Sequence, residues 1–542
     1  MKKLKKSSFL KGAYIATLGI VISKILGILY VIPFHQIIGD KGGALYSYAY
    51  TIYLLFISIS TAGIPLAISN LVSEYHTLGN YKVKERVFYL GKKITFIFGI
   101  CSFIFLMIFA KLFARLIIGD LTGGNTIEDV AFVIRVISTA ILIVPVLSVY
   151  RGYFEGHRFM EPPSISQVLE QVIRVLVILI GSFLVLKVFK SSVRNAVGIA
   201  VFGATVGAIV GYLYLFKKKL NNKNKFKYAS SNLIPVSDKE ITRKIIYYAF
   251  PLIMIDVCKS MYGFVDTFTV VSSLVKYSGY SVNDAEMILS MLSTWAVKFN
   301  MIISCVSTGI VVSLIPNLTK SIVSNDTDDV ANKINKALES CLFLMMPMTL
   351  GITILAQPLW NLFYGSSVYG PHLLGYFIFT GLFSGVFTIL VTILQVFKDN
   401  KCLFISLIVG VLVKIFFNTN FIMAFYKMGL PGYYGSITAT IVGYLSSIII
   451  AFVYLSVIKK INFEEFLKNL VDILCGSILM TIILALISKF VLSVVSTNRL
   501  INILVIALYA IIGAVIYFMY TYKVGLIKKI FGKTFFKNKK SS

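Results

Sequence analysis

GAYIATLGIVISKILGILYVIPFHQII, residues 12–38, carries one formally charged side chain, Lys24, in an otherwise apolar run. A helix needs about 20 apolar residues to cross a hydrocarbon layer roughly 30 Å thick, so this run is long enough to span a membrane. Lys24 would cost about 2.5–3.5 kcal/mol at the centre of lipid, which directs it toward a protein interior rather than acyl chains. The pattern repeats along the chain. We count fourteen apolar stretches, from 12–38 and 44–72 through to 469–492 and 500–522, in a chain that is 57% hydrophobic and 14% charged with mean hydropathy +0.85. That composition excludes a soluble domain of this length. It predicts an all-α integral membrane protein of about 14 transmembrane helices.

Nine ionisable residues fall inside these stretches: Lys24, Arg135, Glu170, Arg174, Asp256, Lys259, Asp266, Lys298 and Lys414. Placing all of them against lipid is too costly, so they line an interior, and their cationic majority points to a cavity for an anionic cargo. Glu170 and Arg174 are four residues apart and share a helix face, as an internal ion pair would. Asp256 and Lys259, three apart, fit the same description. Asp256 is alternatively an ion-coupling carboxylate, and Asp266 is a candidate for either role. Arg135 reads as an interfacial side chain that snorkels. Lys24, Lys298 and Lys414 have no Asp or Glu within four positions and are, with Arg174, the candidate cargo ligands.

Basic residues orient the chain, because cytoplasmic loops concentrate Lys and Arg. The tails and the segments Lys82–Lys93, Arg151–Arg158, Lys217–Lys244, Lys320–Lys336, Lys398–Lys401 and Lys459–Lys468 are basic, whereas Gly119–Val130 carries Asp120, Glu128 and Asp129. Both termini are therefore expected in the cytoplasm, with the chain in the cell membrane. The net charge of +29 is then explained by anionic lipid headgroups, with no need for nucleic acid. The basic start precedes a run too long for a signal-peptide core, so the first helix reads as uncleaved.

The longest polar interruption, Lys217–Lys244, divides the chain into two lobes. We expect an N-terminal lobe at 1–220 (helices 1–6), a basic cytoplasmic linker at 221–243 and a C-terminal lobe at 244–460 (helices 7–12). Two further helices follow at 461–525, then a basic tail at 526–542. A weak repeat supports the halving, since Ser60-Thr61 and Asn70-Leu71 recur at one constant offset as Ser307-Thr308 and Asn317-Leu318. Parallel repeats with cargo bound between halves are a common transporter plan. Pro33, Pro65, Pro145, Pro251, Pro316 and Pro347 lie within or at the ends of spans, where proline removes a backbone donor and kinks helices.

Enzyme signatures are missing from the sequence. It has no Walker loop, dinucleotide fingerprint or nucleophile elbow, and Asp328-Asp329 sits in a polar segment better read as solvated than as a magnesium site. The scattered histidines and the cysteines without CxxC spacing suggest neither a metal site nor a disulfide framework. No cofactor is expected. Energy would come from a monovalent cation gradient, the membrane potential or the cargo gradient, as in a secondary transporter. A membrane-embedded transferase acting on polyprenyl lipids is the enzymatic alternative.

Several blocks resemble one family. Ser23-Lys24-Ile25-Leu26-Gly27, Ile38-Gly39-Asp40 and the run Ser60 to Glu74 (STAGIPLAISNLVSE) resemble the opening of MurJ-like lipid II flippases, in the branch that includes the stage V sporulation protein B group. Arg151-Gly152-Tyr153-Phe154-Glu155-Gly156, Pro162, Ser166-Gln167, Glu170-Gln171 with Arg174, Asp266-Thr267 and Ser313-Leu314-Ile315-Pro316 extend the likeness. The resemblance implies membership of the multidrug/oligosaccharidyl-lipid/polysaccharide exporter superfamily, with two six-helix lobes and two added C-terminal helices. It implies an undecaprenyl-diphosphate-linked cargo, the peptidoglycan precursor lipid II, moved from inner to outer leaflet, with cell-wall synthases as possible partners. Lys24 matches the family's cationic position on the first helix and is expected to bind the diphosphate. The last two helices are expected to guide the polyprenyl tail. The chain departs from relatives at Tyr30 and Val31, where a second basic residue is usual, and at Met301-Ile302-Ile303, where a proline-containing run is usual. Another lipid-linked oligosaccharide, of capsule, teichuronic or spore-cortex type, is the alternative cargo, and a cation-coupled multidrug antiporter is a more distant alternative. A non-transporting partner of the synthases would not need buried cations.

Overall fold

The computed structural model describes residues 9–222, 235–491 and 499–531, so 223–234 of the expected linker and 532–542 of the expected tail lie outside the described residues. Among the described residues all regular structure is helical. The spans are α1 Phe9–Leu29, α2 Val31–Thr77, α3 Tyr81–Ile118, α4 Ile127–Gly156, α5 Glu161–Val188, α6 Val193–Asn221 and α7 Asp238–Ser278. They continue as α8 Val282–Val323, α9 Thr327–Ile354, α10 Gly370–Val396, α11 Asn400–Lys427, α12 Tyr433–Val457, α13 Glu464–Val491 and α14 Arg499–Lys523. Thirteen of these are long and apolar enough to cross a membrane, and the shorter apolar segment Leu18–Leu29 belongs to α1. Outward-facing side chains such as Ile108, Phe416 and Leu504 are about two-thirds exposed, which suits lipid and not water. The chain is a multi-pass membrane protein.

The breaks fall mainly at glycine. The helix that resumes at Val31 leaves helical geometry at Gly39, with φ 64° and ψ −172°. A second break comes at Ala62-Gly63, where Gly63 has φ 71° and Pro65 opens the next helical turn. A Cβ at Gly63 would meet Leu252 Cβ at 2.7 Å and the Ala249 carbonyl at 2.8 Å, so the bare glycine also admits α7. Pro145, Pro251, Pro316 and Pro347 instead sit inside helices that continue past them.

The chain forms two compact units. The first holds residues up to Lys276 together with Tyr280–Ser290, and so includes α7, which the sequence reading assigns to the C-terminal lobe. Local contacts explain the assignment. Ile241, Ile245 and Ala249 of α7 are buried in a core shared with Ile68, Leu71, Val87, Tyr150 and Tyr153. Arg86 of α3 binds the Asp238 carboxylate and donates to the Val236 carbonyl at 2.9 Å, while Lys244 Nζ lies 3.3 Å from Glu74 Oε1. The first turns of α8 are tied in as well. Buried Glu286 accepts from the Asn125 backbone N–H at 3.1 Å, the Asn125 side-chain amide at 2.8 Å and the Tyr48 hydroxyl at 3.3 Å.

The second unit comprises Tyr277–Gly279, at the C-terminal end of α7, and the described residues from Met291 onward. It begins at a π-helical turn, Met291–Trp295, whose fully buried Trp295 gives its carbonyl to the Tyr364 hydroxyl at 3.0 Å. The helices α13 and α14 are fastened to α9. Asn469 donates to Glu339 at 2.9 Å, and the Tyr517 hydroxyl donates to the Phe343 carbonyl at 2.9 Å.

Candidate functional site

The sequence of α5 builds a polar stripe inside an apolar helix. Pro162 and Pro163 occupy its first turn, where a missing N–H costs nothing, and Gln167, Glu170, Gln171 and Arg174 then recur at three- and four-residue spacing. The helix α6 approaches this stripe closely through Gly203, Gly207 and Gly211. A Cβ at Gly207 would lie 2.6 Å from the Glu170 carbonyl, and one at Gly203 3.1 Å from the Arg174 carbonyl. Small residues every fourth position are what let two membrane helices pack backbone to backbone. On its other side α5 receives α1, with Gly19 against Ser164 and Gly27 beside Gln171.

Glu170 is buried, and two arginines share it. Arg174 Nη2 lies 2.7 Å from Oε1, one turn along α5, and Arg151 Nη2 reaches Oε2 at 2.7 Å from the end of α4. Arg151 also donates to Ser166 Oγ at 3.3 Å, and Ser166 in turn donates to the Gly211 carbonyl at 3.2 Å. The Glu170–Arg174 spacing predicts an ion pair, and that pair is present. The basic segment Arg151–Arg158 reads in the sequence as a loop, whereas Arg151 is helical at the end of α4 and reaches across to α5, which local spacing does not reveal. One carboxylate facing two guanidiniums leaves a net positive charge. The Nε–H groups of both arginines are buried and make no hydrogen bond.

Tyrosines of α2 complete the wall. Tyr46, Tyr50 and Tyr53 lie within electrostatic reach of Arg174. Tyr46 and Tyr50 stack at 5.3 Å between centroids, Tyr50 and Tyr53 follow at 5.7 Å, and the Tyr30 and Tyr46 hydroxyls are 3.4 Å apart. Spacing alone puts Tyr46, Tyr50 and Tyr53 on one helix face, a signal that a reading of the charged residues does not use.

The other candidate residues are distributed over both units. Lys24 is half-buried on α1, the helix that packs on α5. Asp256 is exposed and Lys259 half-buried on α7, where each feels the other's charge, and Asp266 is half-buried two turns further on. Lys298 and Lys414 belong to the second unit. Lys298 is half-buried on α8. Lys414 is fully buried, and its ammonium donates to the Ser436 carbonyl at 3.0 Å, Ser436 Oγ at 3.3 Å and Thr440 Oγ1 at 2.7 Å, binding α11 to α12.

The second unit also contains an apolar cavity of about 330 Å³ between α9, α13 and α14, with Phe343, Pro347, Met480, Leu484, Tyr509 and Gly513 among its walls. Its character suits hydrocarbon. Outside the spans, between α4 and α5, His157 packs against Tyr153, Phe159 and His76, and its Nδ1 donates to the Tyr153 carbonyl at 2.7 Å. Burial pushes this imidazole down to about 3, so it is neutral.

Known proteins resemble this chain over most of its length. Residues 9–321 match the family described as polysaccharide biosynthesis protein. The lipid II flippase MurJ of Bacillus subtilis (strain 168) is 32% identical over 538 residues, covering 97% of each chain. Stage V sporulation protein B of the same organism is 24% identical over 372 residues, covering 67% of this chain and 68% of that relative. Among solved structures, lipid II flippase MurJ in an inward closed conformation superposes with TM-score 0.68 at 18% identity, covering 94% of this chain and 99% of that one. An inward-facing multidrug resistance MATE family transporter of the MOP superfamily gives TM-score 0.64 at 14% identity, covering 82% and 99%. At these identities the solved structures speak to the fold alone.

Proposed function

Because this chain belongs to the polysaccharide biosynthesis protein family, and within it to the MurJ lipid II flippases, we propose that it moves lipid II, an undecaprenyl-diphosphate-linked peptidoglycan precursor, from the inner to the outer leaflet. The observation that carries this reading is the sharing of Glu170 by Arg151 and Arg174. Two half-buried arginines against one buried carboxylate retain a positive charge, and their buried Nε–H groups are ready to donate. A diphosphate supplies the missing acceptors. Charge-assisted hydrogen bonds of this kind contribute about 1.5–3 kcal/mol each, and the planar guanidinium fork matches phosphate oxygens.

In this proposal Lys24 adds a point charge from α1, and the tyrosines of α2 offer flat faces and hydroxyls to the sugar. The polyprenyl tail lies in lipid and along the apolar cavity of α9, α13 and α14. Lys298 and Lys414 are cationic groups of the second unit, with Lys414 holding α11 to α12. Glu170 serves as the internal counter-charge that keeps the arginines in place when no cargo is bound. Asp256 and Asp266 are the carboxylates through which a monovalent cation gradient would act, with the membrane potential as the other source of energy. Both termini lie in the cytoplasm, and cell-wall synthases receive the cargo outside. Transport proceeds by alternating access.

The test is flipping of a lipid-linked diphosphate sugar in proteoliposomes. Lys24→Ala and Arg174→Ala should each abolish flipping while inserting normally, and wild-type rates from both variants would remove the cationic site from the account.

A further inference from the structure

A cavity of about 450 Å³ opens between α3, α4 and α6 of the first unit, apart from the Glu170 cluster. Its walls are amphipathic. Phe96 and Ile143 are apolar, Tyr89 and Tyr212 add aromatic faces with hydroxyls, and Lys92 and Lys93 stand together on α3. Tyr89, Lys92, Lys93 and Phe96 recur at three- and four-residue spacing and so share one helix face. Tyr89 and Phe96 are about half exposed or more.

Depth in the membrane follows from α3 itself. Between Lys93 and Lys111 the helix has seventeen residues without a charge, 94–110, which span about 26 Å at 1.5 Å per residue. That is close to the roughly 30 Å of a hydrocarbon layer, so Lys92 and Lys93 sit at one headgroup boundary and Phe96 begins the acyl region. The cationic field is reinforced from α6, where Lys219 and Lys92 feel each other's charge. Two lysines at headgroup depth above an apolar cleft complement an anionic head joined to a hydrocarbon chain.

We propose that this cleft binds an anionic glycerophospholipid of the surrounding bilayer, its phosphate on Lys92 and Lys93 and an acyl chain along Phe96 and Ile143. The bound lipid joins α3, α4 and α6, and through them stabilises the first unit. This inference is independent of the cargo.

The full chain is reconstituted in nanodiscs of phosphatidylcholine alone, of phosphatidylcholine with phosphatidylglycerol, and of phosphatidylcholine with inorganic phosphate in the buffer. Thermal unfolding and retained lipid, by native mass spectrometry, are read in each. Phosphatidylglycerol should raise the Tm and be retained, and phosphate should do nothing. Lys92→Gln with Lys93→Gln should weaken retention tenfold or more. Ile143→Trp, which fills the cleft without changing charge, should weaken it as well. Equal retention by either variant, or equal stabilisation by inorganic phosphate, would overturn the proposal.

Discussion

Glu170 is held from two directions, by Arg174 on its own helix and Arg151 from α4, and its removal exposes what the cluster is for. Breaking a buried ion pair by deleting one partner costs about 3–5 kcal/mol, because the remaining charge loses its compensation. Glu170→Gln should therefore lower unfolding stability by about that much, measured by chemical denaturation in detergent. Adding Arg151→Met should recover part of the loss, since one of the two facing cations is gone. His157 carries a different signature. Its imidazole stays neutral down to about pH 3 in the fold, whereas an unfolded histidine titrates near 6.5. The folded state thus binds fewer protons between these values, and the contribution to stability is full above about pH 6.5 and declines as pH falls toward 3. His157→Phe should remove that component, so the difference between variant and wild-type Tm should shrink steadily on acidification from about pH 7 to pH 4.

Breaks within α2 show how glycine shapes an element where proline only punctuates it. Gly63 combines φ 71° with direct contact to α7, so Gly63→Ala adds both backbone strain and a steric conflict with Ala249 and Leu252. A loss of about 1–3 kcal/mol is expected. Gly309, in the regular α-helical stretch Val297–Val323 of α8, has open space around its Cβ position. Gly309→Ala should change stability by about 1 kcal/mol or less, in the favourable direction. Parallel thermal melts of the two variants check this contrast. Hydropathy located the thirteen candidate spans, because crossing a membrane demands an apolar run. The first expected stretch, 12–38, instead ends as α1 at Leu29, and its remainder belongs to α2. The i,i+4 spacing of Glu170 and Arg174 exposed their pairing. The segment Lys82–Lys93 reads in the sequence as a basic loop, however, whereas the structure makes it helical, with α3 beginning at Tyr81. The added turns are polar outside but bury Val83, Val87 and Phe88, and hydropathy cannot distinguish such a stretch from a loop. Arg151 and Glu286 were missed for a related reason. Their partners are nineteen and more than a hundred residues away in the chain, so no local pattern announces them.

The molecule as a whole is divided by contacts and not by its polar linker. α7 belongs to the first unit, and α8 contributes its first turns to that unit and the remainder to the second, with the π-helical turn Met291–Trp295 at the junction. Glu286 secures one side of this turn and Trp295 the other. In the proposed alternating access, that turn is where the covalent path between the units is best placed to bend, since a π-turn interrupts the regular hydrogen-bond ladder. In that proposal the cationic cluster of Arg151 and Arg174 holds a diphosphate away from water while its leaflet changes. The most direct test is expression of this chain in a bacterium depleted of its own lipid II flippase, with labelling of lipid II headgroups at the outer surface. The account predicts growth and surface labelling with the wild-type chain and neither with Arg174→Ala at equal membrane abundance. Failure of the well-expressed wild-type chain to restore labelling would contradict it.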